Sequence, residues 1–425
     1  MTGPATYFDP AHTKRLDPAT RALIERRERA LGSAYRLFYD EPLRLVRGLG
    51  TKLWDSDGSE YLDAYNNVPS VGHCHPRVVA AITEQAQTLN THTRYLQEGI
   101  IDYAEQVLAT LPDDIERMMF TCTGSEANDL ALRIAKHATG NDGVIVTRNA
   151  YHGVTTEIAA ISPSLGGMDS LGPWTRVVQA PGTELDFAAA VRGAIAELEA
   201  VGLRPAALIV DTIFASDGCY PAVDGLTDAV AAVRTAGGLF IADEVQPGFG
   251  RLGHGMWGFD RYDLTPDLVT VGKPMANGHP VAAVMARAEL VDAFGREVRY
   301  FNTFGGNTVS IAAAQATLDV LRDEQLIENA RVIGDRLLSA LIAIDSDLIA
   351  DVRGAGLFIG VELRRDGAPA STETLAVVNE MRKRRVLLAA SGLENNILKI
   401  RPPLPFSGDD CDRLLTELTA ALAAR

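Results

Sequence analysis

The sequence predicts an α/β protein in which helices cover both faces of a mainly parallel sheet. Two observations support this prediction. From Met118 onward, short apolar segments alternate with segments whose apolar residues recur at helical spacing. The second observation is the run Leu268-Val-Thr-Val271, which is typical of the apolar segments. It is short and β-branched, and it is followed by Gly272 and Pro274, as a buried strand would be. Alternation of this kind is typical of strand-helix-strand units.

The amino-terminal part predicts a surface helix and a small antiparallel meander. Residues 18–31 form a charged segment that starts on a proline and is followed by Gly32, a helix stop signal. Segments 43–48, 52–54 and 60–64 predict three strands, with Asp55-Ser-Asp-Gly58 as a strong turn. A polar loop over 65–76 then leads into a predicted helix over 77–89.

The middle and the tail predict two different architectures. The predicted strands of the middle are 118–122, 144–147, 207–211, 239–243, 268–272 and 281–285, and its helices include 126–139 and 184–201. After Asn307 the chain predicts helices such as 326–344, a strand 357–363, a helix 372–385, a strand 398–401 and a terminal helix from Asp409. We therefore predict a large domain over residues 65–310, and a smaller α+β domain built from residues 1–64 and 311–425.

Composition limits the classes of partner. The chain has 425 residues, too many for one small core, with 47% hydrophobic and 22% charged residues, as in soluble enzymes. Its net charge of -15 argues against nucleic acid or an anionic membrane as a partner. Four scattered cysteines fit neither a disulfide framework nor a zinc site, so no metal is expected. With no signal peptide or spanning segment recognised, we expect a cytoplasmic protein.

Lys273 follows directly after the predicted strand 268–272. Ligands collect beyond the carboxyl ends of strands in open α/β sheets, and a desolvated lysine with a lowered pKa is a good Schiff-base nucleophile. Taken alone, Lys273 is better explained as a loop lysine after a core strand than as a nucleophile. The sequence around the other predicted strand ends distinguishes these interpretations.

Thr121-Cys-Thr-Gly-Ser-Glu-Ala-Asn128 joins a predicted strand to a predicted helix. Free amides at such a helix start point beyond the strand end, where Gly124 would let the backbone approach a ligand and Ser125 would act as N-cap or hydroxyl donor. Phosphate is the natural ligand for this arrangement. A well-capped helix without a ligand would have the same sequence.

Further candidate site residues lie at or after the ends of other predicted strands. Asp243, in Ile241-Ala-Asp-Glu-Val-Gln246, needs a cationic partner if buried, either a protonated ring nitrogen or an internal arginine or lysine. Tyr151 follows strand 144–147 and could cover a flat ligand or belong to the core. The run 301–307 offers a hydroxyl at Thr303 before a helix. Gly248-Phe-Gly-Arg-Leu-Gly253 matches a dinucleotide fingerprint, but Glu244 to Pro247 separate it from the strand and poor helix follows, so we discount it.

Together these stretches resemble the class III, ω-aminotransferase-like family of fold-type I pyridoxal-phosphate enzymes. The resemblance covers nearly the whole chain, and its motifs occur in the expected order. They are T-G-S-E-A-N at 123–128, Y-H-G at 151–153, D-E-V-Q-x-G-F-G-R at 243–251, G-K-P at 272–274 and T-F-G-G-N at 303–307.

The resemblance implies pyridoxal 5'-phosphate as cofactor and a role for each matching residue. Lys273 would bind the cofactor covalently and then shuttle protons, while Asp243 would pair with the ring nitrogen. The remaining implied contacts are Gly124 and Ser125 with the phosphate, Tyr151 and Val245 with the two sides of the ring, Gln246 with the phenolic oxygen, and Thr303 with the phosphate of the neighbouring subunit. A homodimer with shared active sites follows, and whether two dimers pair into a tetramer is left open.

The residues expected for substrate binding depart from the glutamate-using members of the family. Lys399 stands where these carry an arginine before the Pro-Pro-Leu motif, and Ser216 stands where they carry its glutamate partner. A lysine lacks the planar two-point grip that an arginine gives a carboxylate, so efficient use of 2-oxoglutarate is not expected.

The stretches 272–280, 90–96 and 300–306 instead resemble the phospho-lyase branch, which includes ethanolamine-phosphate and phosphohydroxylysine phospho-lyases. This resemblance implies that a phosphorylated amine, such as phosphoethanolamine, is converted to aldehyde, ammonia and phosphate. The phosphate leaving group would need a second anion site, for which Asn67, Arg94, Lys399 and Arg401 are candidates. Structural ion pairs explain Arg94 and Arg401 equally well.

Two other functions compete with the phospho-lyase. The first is an ω-aminotransferase that passes an amine to pyruvate or another keto acid. The second is a catalytically silent or nicotinamide-binding α/β protein. Lys273 and Asp243 at two strand ends, one strand-helix-strand unit apart, argue against the second.

Overall fold

Three sheets organise the part of the chain that the computed structural model describes, residues 7–180 and 186–425. The strands before the large sheet are β1 Leu45–Leu49, β2 Lys52–Asp55 and β3 Glu60–Asp63. The large sheet contains β4 Arg117–Thr121, β5 Gly143–Thr147, β6 Thr175–Val178, β7 Pro205–Asp211, β8 Leu239–Asp243, β9 Leu268–Val271 and β10 Ala282–Ala286. The strands after it are β11 Ile349–Ala355, β12 Phe358–Arg365, β13 Ala368–Pro369, β14 Val386–Leu387, β15 Ala389–Ser391 and β16 Ile397–Ile400.

Helices alternate with these strands. They are α1 Pro18–Leu31, α2 Pro76–Thr88, α3 Glu98–Leu108, α4 Gly124–Thr139, α5 Thr156–Ala159, α6 Pro163–Gly166, α7 Phe187–Glu199, α8 Leu226–Thr235, α9 Ala288–Glu297, α10 Thr308–Asp323, α11 Leu326–Ile342, α12 Ser371–Lys383 and α13 Gly408–Ala423. In these described ranges, no helix combines the length and the apolar composition that crossing a bilayer requires.

The large sheet has the order β4-β10-β9-β8-β7-β5-β6, and only β10 runs antiparallel to its neighbours. Its central strands are buried on both faces: Val144 and Val146 pack in a cluster with α4, and Ile145 packs in the cluster that contains α7 and α8. The prediction of a mainly parallel sheet covered on both sides is therefore confirmed. Strands β4, β5, β7, β8 and β9 all end at one edge, which brings the residues that follow them together.

Two smaller sheets come from the ends of the chain. Strands β1 to β3 form the predicted meander, and β14 from the carboxyl-terminal part pairs in parallel with β3. Strands β11, β12, β16 and β15 form the other sheet, all antiparallel. The pairing of β14 with β3 joins the two ends of the chain. The domain boundaries after residues 64 and 310 stay a prediction.

Sequence reasoning missed several short elements. Strand β6 has only four residues, at the edge of the large sheet, and β14 and β15 have two and three. Strand β11 is largely half-buried or exposed, so it lacks an apolar run, and α3 was not predicted. The predicted helix 184–201 is Phe187–Glu199 in the structure, and residues 184 and 185 lie outside the described residues.

Helix α11 packs its buried Gly334 directly on the backbone of Gly356, in the turn between β11 and β12. A Cβ at residue 334 would stand 2.3 Å from the Gly356 carbonyl oxygen. We expect Gly334→Ala to lower the free energy of unfolding by about 1–3 kcal/mol, because backbone atoms must shift to admit the methyl group. Urea unfolding of the purified protein measures the change.

Gly193 provides the matched control, since it is an exposed interior residue of α7 with no heavy atom within 4 Å of its added Cβ. There the same substitution should be neutral or stabilise by up to about 1 kcal/mol through helix propensity. Equal stability of Gly334→Ala and wild type would show that the close packing is not needed.

Candidate active site

A cavity lies at the edge where β4, β5, β7, β8 and β9 end. Seven of the residues predicted for cofactor binding line it: Gly124, Ser125, Tyr151, Asp243, Val245, Gln246 and Lys273. They come from four stretches of sequence, each of which follows a different strand. Their proximity is a consequence of the parallel sheet, because parallel strands present their carboxyl ends at one edge.

Lys273 follows β9 and reaches this cavity. Burial lowers the pKa of its amine, and the positive charge of Arg401 lowers the pKa further, while Asp243 and Asp211 act in the opposite direction. Among the described residues, none forms a hydrogen bond with the amine. A lysine with a lowered pKa is more readily deprotonated, so it can act as a nucleophile and as a base.

The start of α4 forms a second wall. Thr123 is the N-cap: its hydroxyl accepts the amide of Glu126 at 3.2 Å, and the Glu126 carboxylate accepts the amide of Thr123 at 2.9 Å. The alternative that Ser125 caps the helix is therefore wrong. The pattern Thr-x-x-Glu at 123–126 is a capping-box signature and could have been recognised in the sequence.

Ser125 instead stands inside the first turn. Its hydroxyl accepts the amide of Val154 at 3.1 Å, which leaves the hydroxyl hydrogen free to donate to a ligand. Gly124 has no room for a side chain, because a Cβ there would stand 2.9 Å from the Val245 side chain. The helix start therefore presents backbone amides and one hydroxyl to the cavity, as a phosphate site requires.

Asp243 is a buried carboxylate held by three hydrogen bonds. Its Oδ2 accepts from Asn128 Nδ2 at 2.9 Å and from His152 Nδ1 at 2.7 Å, and its Oδ1 accepts the amide of Val245 at 3.1 Å. No arginine or lysine of the described residues pairs with it, so the alternative of an internal salt bridge to such a residue is not realised. The Asp243 carboxylate therefore lines the cavity without an arginine or lysine side chain to neutralise it.

Asn128 and His152 belong to the motifs at 123–128 and 151–153, and the structure shows a role for both that the sequence does not predict. Asn128 is itself held by Thr270, whose hydroxyl donates to its Oδ1 at 2.6 Å, and Asn128 donates to the His152 carbonyl at 2.7 Å. The outer ring nitrogen of His152, Nε2, is buried without a partner in the described residues. A histidine directly after Tyr151 and an asparagine one helical turn after Gly124 were the available signals.

Two further acids, the half-buried Asp211 and the buried Asp217, lie near the site, and sequence reasoning gave neither a role. Asp211 lines the cavity, and burial together with the charge of Asp243 raises its pKa to about 6. Asp217 accepts the Thr147 hydroxyl at 2.5 Å and the Asn149 amide at 2.8 Å, and burial raises its pKa. Asp217 directly follows Ser216, so it places an acid one residue beyond the position where the glutamate was expected.

Lys399 in β16 and Arg401 directly after it do not line the cavity themselves, but Arg401 lies beside it and contacts the lining residue Gln246. Arg401 donates a short hydrogen bond to the Gln246 side-chain oxygen, and its guanidinium lies over the Tyr65 ring at 4.7 Å. Lys399 is buried, and burial followed by the charge of Arg401 lowers its pKa to about 8. Neither side chain pairs with a carboxylate of the described residues, so the structural ion pair considered for Arg401 is not found.

The other three predicted residues, Asn67, Arg94 and Thr303, do not line the cavity either. Asn67 is buried, 3% exposed, and its amide nitrogen has no partner in the described part of the chain. Arg94 is exposed and lies 3.8 Å from the centre of the Phe301 ring, so the structure gives it a surface contact and no ion pair. Thr303 is exposed and outside the cavity of its own chain.

The Gly248 to Gly253 stretch opens no helix, in agreement with the decision to discount it. Its last two glycines make room for α11: a Cβ at Gly250 would stand 2.4 Å from Ile327, and one at Gly253 would stand 2.7 Å from the Arg331 backbone. Arg251 is buried and donates to the carbonyls of Leu357 and Pro402. The motif therefore serves packing between the large sheet and the carboxyl-terminal part.

The donor set fits pyridoxal phosphate. A helix start with free amides and a free hydroxyl matches the phosphate, a hydrogen-bonded carboxylate without a cationic partner matches a protonated ring nitrogen, and a lysine with a lowered pKa matches the aldehyde. All three groups face one cavity.

Comparisons with known proteins agree with this fit. The aminotransferase class-III family model matches residues 38–422. An Arthrobacter phospholyase, solved in complex with phosphoethanolamine, is 43% identical, with a TM-score of 0.92 over 95% of this chain and 100% of the other. The ethanolamine-phosphate phospho-lyase homolog 1 of Caenorhabditis elegans is 37% identical over 94% of this chain and 93% of that protein. The alanine--glyoxylate aminotransferase 2-like protein of Drosophila melanogaster is 38% identical over 94% and 87%.

The family model spans most of the chain, and these relatives align over nearly its full length. The site holds the groups that the cofactor of this family needs, at one edge of one sheet. The chain therefore belongs to the class III aminotransferase family, whose members are pyridoxal-phosphate-dependent enzymes.

Proposed function

We propose that this enzyme is a phospho-lyase that eliminates phosphate from phosphoethanolamine or a similar phosphorylated amine. The observation that carries the proposal is the pair of buried cations Lys399 and Arg401, which have no carboxylate partner in the described chain. Buried charges without a partner are costly, so such a pair is best explained by an anionic ligand. The Arthrobacter relative whose structure holds phosphoethanolamine supports phosphate as that anion.

We propose the following residues for the cofactor. Lys273 would bind it covalently, Asp243 would face its ring nitrogen, and Gly124 and Ser125 would hold its phosphate. Tyr151 and Val245 would enclose the ring, Gln246 would reach the phenolic oxygen, and Thr303 would reach the phosphate bound by a second copy of the chain. The hydrogen bonds to Asp243 from Asn128 and His152 support its proposed orientation.

Pyridoxal phosphate, when bound, withdraws electrons from the amine-bearing carbon of the substrate and makes its hydrogen acidic. Lys273 removes this proton at Nζ, a role that its lowered pKa supports. The bond between the next carbon and the phosphate oxygen then breaks, and both electrons leave with the phosphate. One water molecule is consumed as the remaining enamine becomes acetaldehyde and ammonia.

The departing phosphate is a dianion that must be stabilised as its charge develops. Lys399 and Arg401 would supply two positive charges, and the unpaired amide nitrogen of Asn67 would supply a hydrogen bond. Ser216 supports the same interpretation, because a serine adds no negative charge where a glutamate would compete with phosphate. Arg94 stays a weaker candidate, since its guanidinium lies on the exposed Phe301 ring.

An aminotransferase is the second candidate, and the 38% identity to a relative named alanine--glyoxylate aminotransferase 2-like favours it. The two reactions share the proton removal by Lys273. They differ in whether the chain supplies an anion site that promotes departure of phosphate or instead passes the amine on to a keto acid.

A homodimer with shared active sites is also part of the proposal. Thr303 and the neighbouring Phe304 are exposed in the single chain, and Phe304 is 70% exposed although it is large and apolar. Burial of such residues against a second copy would be favourable.

A reducing, cytoplasmic location is supported by the four cysteines, all of which are free thiols.

We expect the purified enzyme to convert phosphoethanolamine to phosphate, acetaldehyde and ammonia in equal amounts, measured by separate assays of the three products. Lys273→Ala should abolish the release, because it removes the base and the cofactor attachment. The control Lys52→Ala, at a half-buried lysine of β2 paired with Glu60, should retain it. Alanine formation from pyruvate, without phosphate release, would identify an aminotransferase instead.

The pH dependence of kcat/KM tests whether Lys399 binds the substrate phosphate. Its pKa of about 8 means that the amine loses its charge as the pH rises through 8, so kcat/KM for phosphoethanolamine should fall above that pH. Lys399→Arg should remove this fall, because a guanidinium stays protonated. Lys399→Met should lower kcat/KM by about ten- to a hundredfold below pH 8, the value of one charge-assisted hydrogen bond.

Identical pH profiles for wild type and Lys399→Arg would contradict a role of Lys399 in phosphate binding. Lys383→Met, at the end of α12, is a control for the loss of one lysine charge, because Lys383 is exposed whereas Lys399 is buried.

Thr303 tests the shared site. We expect Thr303→Ala to raise the Kd for pyridoxal phosphate about five- to tenfold, because one hydrogen bond to a charged group is lost. Fluorescence titration of the apoenzyme measures the Kd, and sedimentation gives the oligomeric state of the same sample. Thr235→Ala, at a partly exposed threonine at the end of α8, is the control. An unchanged Kd in a stable dimer would remove Thr303 from the site.

A further inference from the structure

We infer that Tyr65 is a positioning residue that holds the Arg401 guanidinium in place for the phosphate of the substrate. The inference rests on the proposed function and adds a residue that the motifs do not assign. Tyr65 lies in the loop directly after β3, and Arg401 directly follows β16. The two residues meet because the backbone after β16 is hydrogen-bonded to the backbone after β3, through Arg401 and Ala64.

Arg401 is held entirely by neutral groups. Its guanidinium lies 4.7 Å from the centre of the Tyr65 ring and 6.0 Å from that of Phe358, and it donates to the amide oxygen of Gln246. Its Nε is buried and has no partner in the described part of the chain. An arginine held by rings and an amide keeps its full positive charge available, whereas a carboxylate would neutralise it.

The nearby carboxylate of Asp63 is occupied elsewhere. Its oxygens accept from the His73 ring at 2.7 Å and from the amides of Tyr65 and Asn66 at 3.0 and 2.9 Å. These bonds also fix the backbone that carries the Tyr65 ring. The amide of Arg401 donates to the Ala64 carbonyl at 2.9 Å, so the two backbones are joined as well.

The Tyr65 ring is also in contact with the amino-terminal segment. Phe38 meets it edge to face at a centroid distance of 5.6 Å, and Tyr7 stacks on Phe38 at 5.9 Å. The segment is anchored near this point, because the amide of Asp40 donates to the Asn379 side chain at 2.8 Å. A row of rings therefore runs from Tyr7 to the face of the Arg401 guanidinium, and it limits the directions in which that group can turn.

The test compares Tyr65→Leu with Tyr65→Phe in the holoenzyme. Loss of the ring should raise the KM for phosphoethanolamine and the inhibition constant of inorganic phosphate together by about tenfold, while kcat changes less than about twofold. Tyr65→Phe keeps the aromatic face and should stay within about twofold of wild type in both constants. Such a split between KM and kcat, with rescue by phenylalanine, would not result from a general loss of stability.

Trp54→Leu is the matched control, because Arg47 lies over the Trp54 ring at 4.5 Å in the meander, outside the cavity. Phe38→Leu removes only the ring that braces Tyr65 and should raise both constants by about threefold. It keeps the inference testable if Tyr65→Leu does not fold. Unchanged constants in Tyr65→Leu or Phe38→Leu, or a rise in KM without a rise in the phosphate inhibition constant, would overturn the inference.

Failure of the inference and failure of the proposed function are distinguishable. If wild type releases no phosphate from phosphoethanolamine, the proposed function is wrong, and calorimetric binding of inorganic phosphate to the holoenzyme still compares the Tyr65 variants. If wild type releases phosphate and Arg401→Met weakens phosphate binding but Tyr65→Leu does not, the function stands and the positioning role is wrong.

Discussion

Burial of charge at one edge of the large sheet is the constraint on which the site depends. Asp217, Asp243 and Lys399 are buried, and Lys273 and Asp211 are half-buried at the cavity. Desolvation disfavours the charged form of each group, so it lowers the pKa of the lysines and raises the pKa of Asp211 and Asp217. One physical cause therefore prepares the lysine for proton removal and leaves its neighbours dependent on hydrogen bonds.

The protein resolves this burial differently for acids and for bases. Each acid accepts hydrogen bonds: Asp211 from the amides of Ile213 and Ala215, Asp217 from Thr147 and Asn149, and Asp243 from Asn128, His152 and Val245. The cations Lys273, Lys399 and Arg401 form no ion pair with a carboxylate of the described residues. The site is thus prepared to receive negative charge, which a cofactor phosphate and a substrate phosphate both carry.

Two regions of the fold meet at the proposed site. The large sheet supplies the cavity with its lysine, helix start and oriented carboxylate. The small sheets supply Lys399, Arg401 and the loop with Tyr65 and Asn67, and Arg401 connects them to the cavity through Gln246. The residues proposed for the cofactor therefore come mainly from one region, and those proposed for the substrate come mainly from the other.

The sequence by itself determined the large sheet and the cofactor side of the cavity. Apolar runs that end in Gly, Asp or Lys identify strand ends, and parallel pairing brings those ends together, so local patterns are sufficient to group Gly124, Tyr151, Asp243 and Lys273. Only the tertiary structure decided the contacts of Arg401 with Tyr65 and Gln246 and of His152 with Asp243. These contacts join residues far apart in the chain: Arg401 and Gln246 are separated by 155 positions, and His152 and Asp243 by 91. The contacts of Arg401 depend on how separate sheets pack, and the contact of His152 depends on how the loop after β5 folds against the end of β8. No local periodicity encodes either arrangement.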